Sequence, residues 1–225
     1  MKINIVIHAK GRSSKLKNFN LSTIKGKNLV QICCEKLLKS KNINEVYLDT
    51  ESSAIENSIS YLIPKGLKIL KRPIEMCCDS IVANDLLVHS LHSVSECDVL
   101  LQTFPTSPLL SIETIDNAIK QFINKLDCHD SFFITSSSQE YFWNNKNNPT
   151  PINFTTKKQP RSNKLEVIYI ETHGLYGTTV ESLIENKRRI GKNPMMIEVP
   201  KIESFYVRDD QDLKIVKKLL QEEII

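Results

Sequence analysis

Short apolar segments alternate with longer amphipathic segments along most of this chain. The first apolar segment, Ile3–Ile7, is short and β-branched, which is typical of a buried strand. Further strands are predicted at Glu45–Thr50, Leu67–Leu70, Asp98–Gln102, Ser131–Thr135, Leu165–Ile170 and Met195–Val199. Apolar residues at helical spacing predict helices at Leu29–Leu38, Ser52–Ile63, Ile81–Val94, Ile112–Lys125, Thr178–Lys187 and Asp212–Ile225.

This alternation with short connections predicts a mostly parallel sheet with helices on both faces, a Rossmann-like three-layer α/β/α fold. The 225 residues are expected to form one domain, residues 1–225. The pattern changes between residues 130 and 164, where we predict an arm or lid that leaves the sheet. Its aromatic run, Tyr141-Phe142-Trp143, is expected to pack within the arm or to contact another subunit. Gly26, just ahead of the first predicted helix, is expected to be its entry point, and His173–Gly177 is expected to form a turn.

A basic loop follows the first predicted strand, and no acidic residue precedes Glu35. The cations of this loop are Lys10, Arg12, Lys15 and Lys17. Uncompensated positive charge at the end of a strand suits a polyanionic ligand such as a nucleotide triphosphate. Since the net charge of the whole chain is only +4, this local charge favours a phosphate pocket over a surface that follows a nucleic-acid duplex.

Composition excludes several classes of protein. No apolar run approaches the roughly 20 residues that a membrane helix needs, and the N-terminal segment does not resemble a secretory signal, so a cytoplasmic protein is expected. The six cysteines include no C-x-x-C motif. Buried, reduced thiols are therefore favoured over a zinc site or a redox motif.

Several loops carry short motifs, of which Ile7-His8-Ala9-Lys10-Gly11-Arg12-Ser13 and Gly26-Lys27 are the first. They resemble the I-P-A-R-G-G-S and the later G-K of acylneuraminate cytidylyltransferases. Further matches along the chain are Arg72-Pro73 with Glu75 and Asp79, Gln102 with Pro105-Thr106-Ser107-Pro108, Glu171 with Gly174, and Glu203-Ser204. Because these motifs occur in the family's order along nearly the whole chain, the chain resembles a divergent member of that family.

The resemblance implies a nucleotidyltransferase that uses CTP. The anomeric hydroxyl of a sugar acid, such as a sialic-acid-like nonulosonic acid, would attack the α-phosphorus and release pyrophosphate. The resemblance also implies Mg²⁺, a homodimer formed through the arm, and CTP and a small acidic acceptor as partners, without nucleic acid or membrane. Two alternatives stay open, namely CMP transfer to another acceptor such as a different sugar or a phosphonate, and a degenerate pseudo-enzyme that only binds a nucleotide.

The resemblance also assigns roles to residues. The implied catalytic residues are Lys10, Lys15 and Asn20. The implied nucleotide-binding residues are Ala9, Lys10, Gly11, Arg12, Ser13, Asn20 and Asp79. The implied acceptor-binding residues are Gln102, Thr103, Glu171 and His173. His8 replaces a family proline and is expected to form a polar wall at the mouth of the site. Lys187-Arg188-Arg189 is expected to be the solvated end of a helix, with contact to a carboxylate-bearing acceptor as the alternative.

The chain departs from the family pattern at several positions. Phe19 replaces a family lysine, Arg12 replaces a glycine, and Thr103-Phe104 are additional residues. The family's metal-binding D-I-D motif aligns with Tyr206-Val207-Arg208, and Asp209 lies just beyond it. Asp209 is therefore expected either to bind the metal ion or to cap the last helix.

Overall fold

A computed structural model describes residues 1–11 and 19–222 of the chain, which form eleven strands and six α-helices. The strands are β1 (Ile3–His8), β2 (Thr23–Ile24), β3 (Lys27–Asn28), β4 (Glu45–Thr50), β5 (Leu67–Lys71), β6 (Val99–Thr103), β7 (Ser131–Ser138), β8 (Trp143–Asn144), β9 (Thr150–Pro151), β10 (Ile168–Thr179) and β11 (Pro194–Glu198). The helices are α1 (Leu29–Leu37), α2 (Ser53–Ile59), α3 (Ala83–Leu91), α4 (Ile112–Ile123), α5 (Val180–Asn186) and α6 (Asp210–Gln221).

Seven strands form a central sheet in the order β11-β7-β10-β6-β1-β4-β5. The pairs β1–β4, β1–β6, β4–β5 and β11–β7 are parallel, and β10 is antiparallel to both β6 and β7. Within this sheet β10 therefore runs against the direction of the other strands. The predicted mostly parallel sheet is confirmed, with one reversed strand that the sequence pattern did not reveal.

Alternate side chains of the strands pack on opposite faces of the sheet. Ile5 and Ile7 of β1 belong to a core cluster with residues of α1, α2 and α4, whereas Val6 belongs to a second cluster with residues of α3 and α5. Strands buried on both faces have the continuous apolar character that β1 shows. The helices therefore cover both faces, which confirms the predicted three-layer α/β architecture.

A third apolar cluster joins α6 to a short hairpin, β2–β3, ahead of α1. Lys25 and Gly26 form its turn with φ angles of 47° and 79°, the left-handed conformations that a two-residue hairpin turn requires. The helix begins at Leu29 as predicted, but Gly26 belongs to the hairpin turn rather than to the helix entry. Asn28 caps α1 instead, because its side chain accepts a hydrogen bond from the Gln31 amide while the Gln31 side chain accepts one from the Asn28 amide, both at 2.8 Å.

The segment 165–187 also differs from its prediction, because a strand continues where a turn was expected. Ile168–Thr179 is a continuous strand, although its pairing with β7 shifts between Glu171 and Tyr176. Gly177 lies within this strand, where a Cβ atom would meet Phe132 Cε1 at 2.1 Å. The prediction of a turn at His173–Gly177 is therefore wrong, because Gly177 serves close packing in a sheet rather than turn formation.

The arm leaves the sheet after β7 and contains the short hairpin β8–β9. Tyr141 and Trp143 each contact Phe154 edge to face, with ring centroids 5.1 Å apart. Within the described part of the chain, no helix has the length and apolar character needed to cross a membrane.

Candidate active site

A crevice of about 280 Å³ lies at the carboxyl ends of β1, β5 and β6. In the sheet, β4 and β5 lie on one side of β1 and β6 lies on the other side, so the strand order reverses at β1. Open α/β sheets bind their ligands at such a reversal. The residues that line the crevice include His8, Lys10, Asn20, Arg72, Asp79 and Phe104. The sheet topology therefore brings residues from four separated segments of the sequence into one site.

The floor of the crevice contains a buried group of three ionisable side chains. His8 Nδ1 lies 2.6 Å from Asp49 Oδ2, and Arg72 donates to the same oxygen from Nε at 3.1 Å and from Nη2 at 2.9 Å. Burial lowers the pKa of His8 below its ordinary value, against the opposing effect of Asp49. Burial opposes ionisation of Asp49, but the hydrogen bonds from His8 and Arg72 keep its pKa below the ordinary value. His8 thus lies on the floor of the site, whereas the sequence predicts it in a polar wall at the mouth.

Lys10 lies nearer the exposed end of the crevice. Its Nζ is 3.3 Å from Asp79 Oδ1, and the Asp79 side chain is 74% exposed. Asn20 Nδ2 donates to the Lys10 carbonyl oxygen at 2.8 Å, so Asn20 holds the backbone that carries the lysine. The structure therefore brings together three residues that the sequence assigned to nucleotide binding.

The other predicted residues of the first loop differ in position. Ala9 is fully buried, and its amide donates to the Asp49 carbonyl oxygen at 3.0 Å. The Gly11 amide donates to Glu51 Oε1 at 2.7 Å, and a Cβ atom on Gly11 would lie 2.5 Å from Ser52 Cβ. Gly11 therefore allows the loop to approach the start of α2. Arg12, Ser13 and Lys15 lie outside the described residues.

A second polar group begins at the end of β6. Gln102 is fully buried and donates to the Ala83 carbonyl oxygen at 2.8 Å, while its own oxygen accepts a hydrogen bond from Arg189 Nη1 at 3.2 Å. Thr103 Oγ1 donates to the Gly174 carbonyl oxygen at 2.6 Å. Gln102 therefore connects the sheet to Arg189, whereas the Thr103 hydroxyl is used within the fold.

Arg189 extends inward from the segment after α5. Its guanidinium lies over the Tyr176 ring at 3.6 Å, and its Nη2 is 3.4 Å from Glu171 Oε1. Its side chain is 13% exposed, so the prediction that it ends a helix in solvent is wrong, although Lys187 and Arg188 are exposed as expected. The positive charge of Arg189 is also one of the smaller causes that lower the pKa of His8, after burial.

The remaining predicted acceptor residues lie on the bulged strand β10. Glu171 accepts a hydrogen bond from the Tyr176 hydroxyl at 2.6 Å, which with burial raises the pKa of that hydroxyl. His173 is exposed and contacts the Tyr206 ring edge to face at 4.8 Å. The structure therefore gathers Gln102 and Glu171 around Arg189, and places His173 beside Tyr206.

The structure gives Asp209 the geometry of a helix cap. Its Oδ1 accepts hydrogen bonds from the Gln211 and Asp212 amides, each at 2.9 Å. Asp212 in turn binds Arg208 Nε at 3.0 Å. Within residues 1–11 and 19–222, no three or more His, Cys, Asp or Glu residues come together in a group that could hold a metal ion. Asp209 and Asp212 are therefore both engaged in contacts within the fold, and the binding of Mg²⁺ by Asp209 stays a prediction.

Sequence reasoning did not assign Asp49 to the site and gave Arg189 only a secondary role. Asp49 does leave a signal, because it is a charged residue in the apolar strand Glu45–Thr50, and a buried charge requires a partner. The sequence around Arg189 carries no such signal, because its neighbours Lys187 and Arg188 are exposed and its contacts come from residues distant in sequence.

The fold and the crevice define an open α/β protein with a small-molecule site at the carboxyl edge of its sheet. A family model described as cytidylyltransferase matches residues 4–176. The chain therefore belongs to the cytidylyltransferase family, and this membership supports CTP-dependent transfer of CMP. The family model does not separate the acylneuraminate branch from other cytidylyltransferases, so that narrower assignment remains a prediction. No curated protein sequence matches the chain significantly.

Solved structures of cytidylyltransferases resemble the whole fold. A CMP:2-keto-3-deoxy-manno-octonic acid synthetase complexed with CTP has 17% identity and a TM-score of 0.69, over 99% of this chain and 100% of that one. A 4-diphosphocytidyl-2C-methyl-D-erythritol synthase from Anaerococcus prevotii DSM 20548 has 14% identity and a TM-score of 0.68, over 98% and 96%. A cytidylyltransferase from Leptospira borgpetersenii serovar Hardjo-bovis (strain JB197) has 14% identity and a TM-score of 0.64, over 99% and 87%. At these identities the likeness shows the fold alone.

Proposed function

We propose that the protein transfers CMP from CTP to a sugar acid and releases pyrophosphate. The observation that carries this proposal is the crevice, in which Lys10 lies near the mouth. The largely buried Arg189, which hydrogen-bonds Gln102 of β6, supplies a second positive charge outside the residues that line the crevice. Membership of the cytidylyltransferase family and the resemblance to a CTP-bound synthetase of a sugar acid support the choice of substrates. An acceptor hydroxyl would attack the α-phosphorus, and the bond to the β-phosphate would break as pyrophosphate leaves.

Lys10 is the described residue best placed to contact the phosphates of CTP. Its ion pair with the exposed Asp79 is a weak surface contact, so a triphosphate with several negative charges can replace that carboxylate. Asn20 would keep the Lys10 backbone in position through its hydrogen bond to the carbonyl oxygen. The lysine charge would then stabilise the negative charge that develops on the leaving pyrophosphate.

The acceptor would bind beside Gln102, with Arg189 facing its carboxylate. A guanidinium suits a carboxylate because its donors are arranged in a planar fork. Arg189 is held by a stacked tyrosine and by Gln102, so it is ordered before the acceptor arrives. This arrangement favours an acidic acceptor over a neutral sugar.

Pyrophosphate release from CTP, measured with a panel of acceptors, tests this function. We expect release with nonulosonic or ketodeoxy acids and none with neutral sugars. Release only with a phosphonate or another non-carboxylate acceptor would show a different cytidylyltransferase. Binding of CTP with no turnover of any acceptor would show a protein that only binds the nucleotide.

Neighbouring arginines supply a matched pair of variants for the acceptor site. Arg189→Met should raise the KM for the acid acceptor by at least about tenfold while changing the KM for CTP much less. Arg188→Met, which removes an exposed guanidinium one residue away, should leave both constants unchanged. Equal effects of the two substitutions would contradict acceptor binding by Arg189.

No step of the proposed reaction is assigned to a metal ion held by the protein, because the carboxylates around Asp209 are engaged as described above. We propose instead that Mg²⁺ enters the site with CTP and keeps mostly phosphate and water ligands, which is the usual way in which this ion accompanies nucleotides. Titration of Mg²⁺ at constant CTP, with the rate of pyrophosphate release as the readout, tests this point.

A further inference from the structure

His8 has one ring nitrogen without a partner. The side chain is 1% exposed and lines the crevice, and its Nδ1 is occupied by Asp49 at 2.6 Å. Nε2 is also buried, yet it makes no hydrogen bond to any residue that the structure describes. A buried polar atom without a partner is unfavourable, so a ligand that brings a hydrogen-bonding group to Nε2 gains a favourable contact there.

The neighbours of His8 determine which kind of group Nε2 requires. Two hydrogen bonds from Arg72 keep Asp49 ionised, and an ionised carboxylate accepts hydrogen bonds but cannot donate them. Nδ1 must therefore carry the proton. Because burial keeps the imidazole neutral, Nε2 has a free lone pair and acts as an acceptor. The floor of the crevice thus requires a donor from its ligand.

The surroundings of His8 suit a planar heterocycle. Met76, Ile81 and Leu86 line the same crevice, and the Phe104 ring centroid lies 5.9 Å from that of His8. Lys10, two residues further along the chain, lies nearer the mouth of the crevice, where its side chain is 31% exposed. A nucleotide with its phosphates at Lys10 would therefore place its base on the buried side, among apolar groups and next to Nε2.

We propose that His8 Nε2 accepts a hydrogen bond from the exocyclic amino group of cytosine, so that His8 determines specificity for CTP over UTP. Uracil has a carbonyl oxygen where cytosine has this amino group, and two acceptors facing each other in a buried site repel. Asp49 and Arg72 act as positioning residues, because they fix the tautomer that leaves Nε2 unprotonated. This inference rests on the proposed function, since it assumes that the crevice binds CTP.

Calorimetric binding of CTP and UTP, without an acceptor, tests the proposal. We expect wild type to prefer CTP, and His8→Leu to reduce the ratio of the two affinities at least about tenfold by weakening CTP most. His8→Gln is the more conservative variant for folding. Its amide can present either an oxygen or an NH₂ group, so the ratio should fall towards one. His129→Leu, at a partly exposed histidine outside the crevice, should leave the ratio unchanged.

Asp49→Asn gives a sharper test because it allows the tautomer to change. An asparagine amide can donate to Nδ1, which lets Nε2 carry the proton and favour the uracil carbonyl. We expect this variant to shift the preference towards UTP beyond the effect of His8→Leu. Variants are first compared by circular dichroism and thermal unfolding, and only folded ones enter the comparison. His8→Gln keeps the test possible if the other two do not fold.

Two results would overturn the role of His8. One is an equal loss of CTP and UTP affinity in the folded variants. The other is an unchanged CTP-to-UTP ratio with reduced discrimination between CTP and dCTP, which would show a contact to the ribose.

Different results would contradict the proposed function. Wild type that prefers CTP but releases no pyrophosphate with any acceptor contradicts only the transfer reaction, whereas wild type that binds neither nucleotide contradicts both.

Discussion

At the scale of single residues, Lys10 supplies a positive charge near the mouth of the crevice. Lys10→Ala should weaken transition-state stabilisation for CTP by about 1.5–3 kcal/mol, the range of a charge-assisted contact. The measurement is kcat/KM for CTP in the pyrophosphate assay. Lys68→Ala is the control, because Lys68 also forms an ion pair, with Glu45 at 2.5 Å, but at the other end of the strands. A similar loss in both variants would contradict phosphate binding by Lys10.

His8 should make the stability of the protein depend on pH. The unfolded chain takes up a proton near the ordinary pKa of 6.5, whereas burial lowers the pKa of His8 in the folded state. The unfolded state therefore binds more protons than the folded state below pH 6.5. As the pH is lowered from 6.5, the free energy of unfolding should fall by up to about 1.4 kcal/mol per pH unit, until the pKa of His8 in the folded state is reached. The charged groups that face His8 are Asp49, Arg72 and Arg189.

Urea denaturation from about pH 5 to about pH 8 measures this dependence. Asp49 does not interfere, since its pKa lies below 3.8 and its contribution is lost only in stronger acid. His8→Gln, which cannot titrate, should have a smaller slope below pH 6.5 than wild type. Equal slopes in the two proteins would show that His8 is not the group responsible.

The structure brings Lys10, Asn20 and Asp79 together because all three lie in loops at the carboxyl ends of strands, and parallel strands place such loops side by side. The sequence assigned these residues to nucleotide binding through its resemblance to a family of cytidylyltransferases. It could not predict the partners of Arg189, which depend on the bulge in β10 and on packing against Tyr176. Three predicted residues, Arg12, Ser13 and Lys15, lie outside the described part of the chain, so their roles stay predictions.

At the scale of elements, Asp209 supports the start of α6, which packs through Leu213 and Val216 on the β2–β3 hairpin. Asp209→Ala removes the acceptor of two amide hydrogen bonds and should cost about 1 kcal/mol of stability. Asp209→Asn keeps a capping oxygen and should cost less. The Mg²⁺ concentration for half-maximal rate should match wild type in both. A higher Mg²⁺ requirement in Asp209→Asn, with stability unchanged, would identify Asp209 as a metal ligand instead.

Elements were predictable where apolar periodicity was strong and uncertain where glycine occurred. Val99–Thr103 and Ile112–Ile123 differ from their predictions by one or two residues, because each buries a continuous face. Gly26 and Gly177 were assigned to a helix start and a turn. One forms a hairpin turn and the other lies within a strand, and the difference depends on tertiary neighbours that local sequence does not show.

At the scale of the whole molecule, the arm and the adjacent part of β10 expose a group of apolar side chains. Trp143 is 48% exposed, Ile152 61%, Tyr169 47% and Ile170 45%. An arm that exposes several large apolar side chains is typical of a subunit contact, so we predict a homodimer that buries them. Trp143→Asp combined with Ile152→Asp should shift the dimer to monomer in analytical ultracentrifugation. Ile63→Asp, at an apolar side chain of similar exposure outside the arm, should leave the dimer intact. A wild-type protein that is monomeric at all concentrations would contradict the prediction.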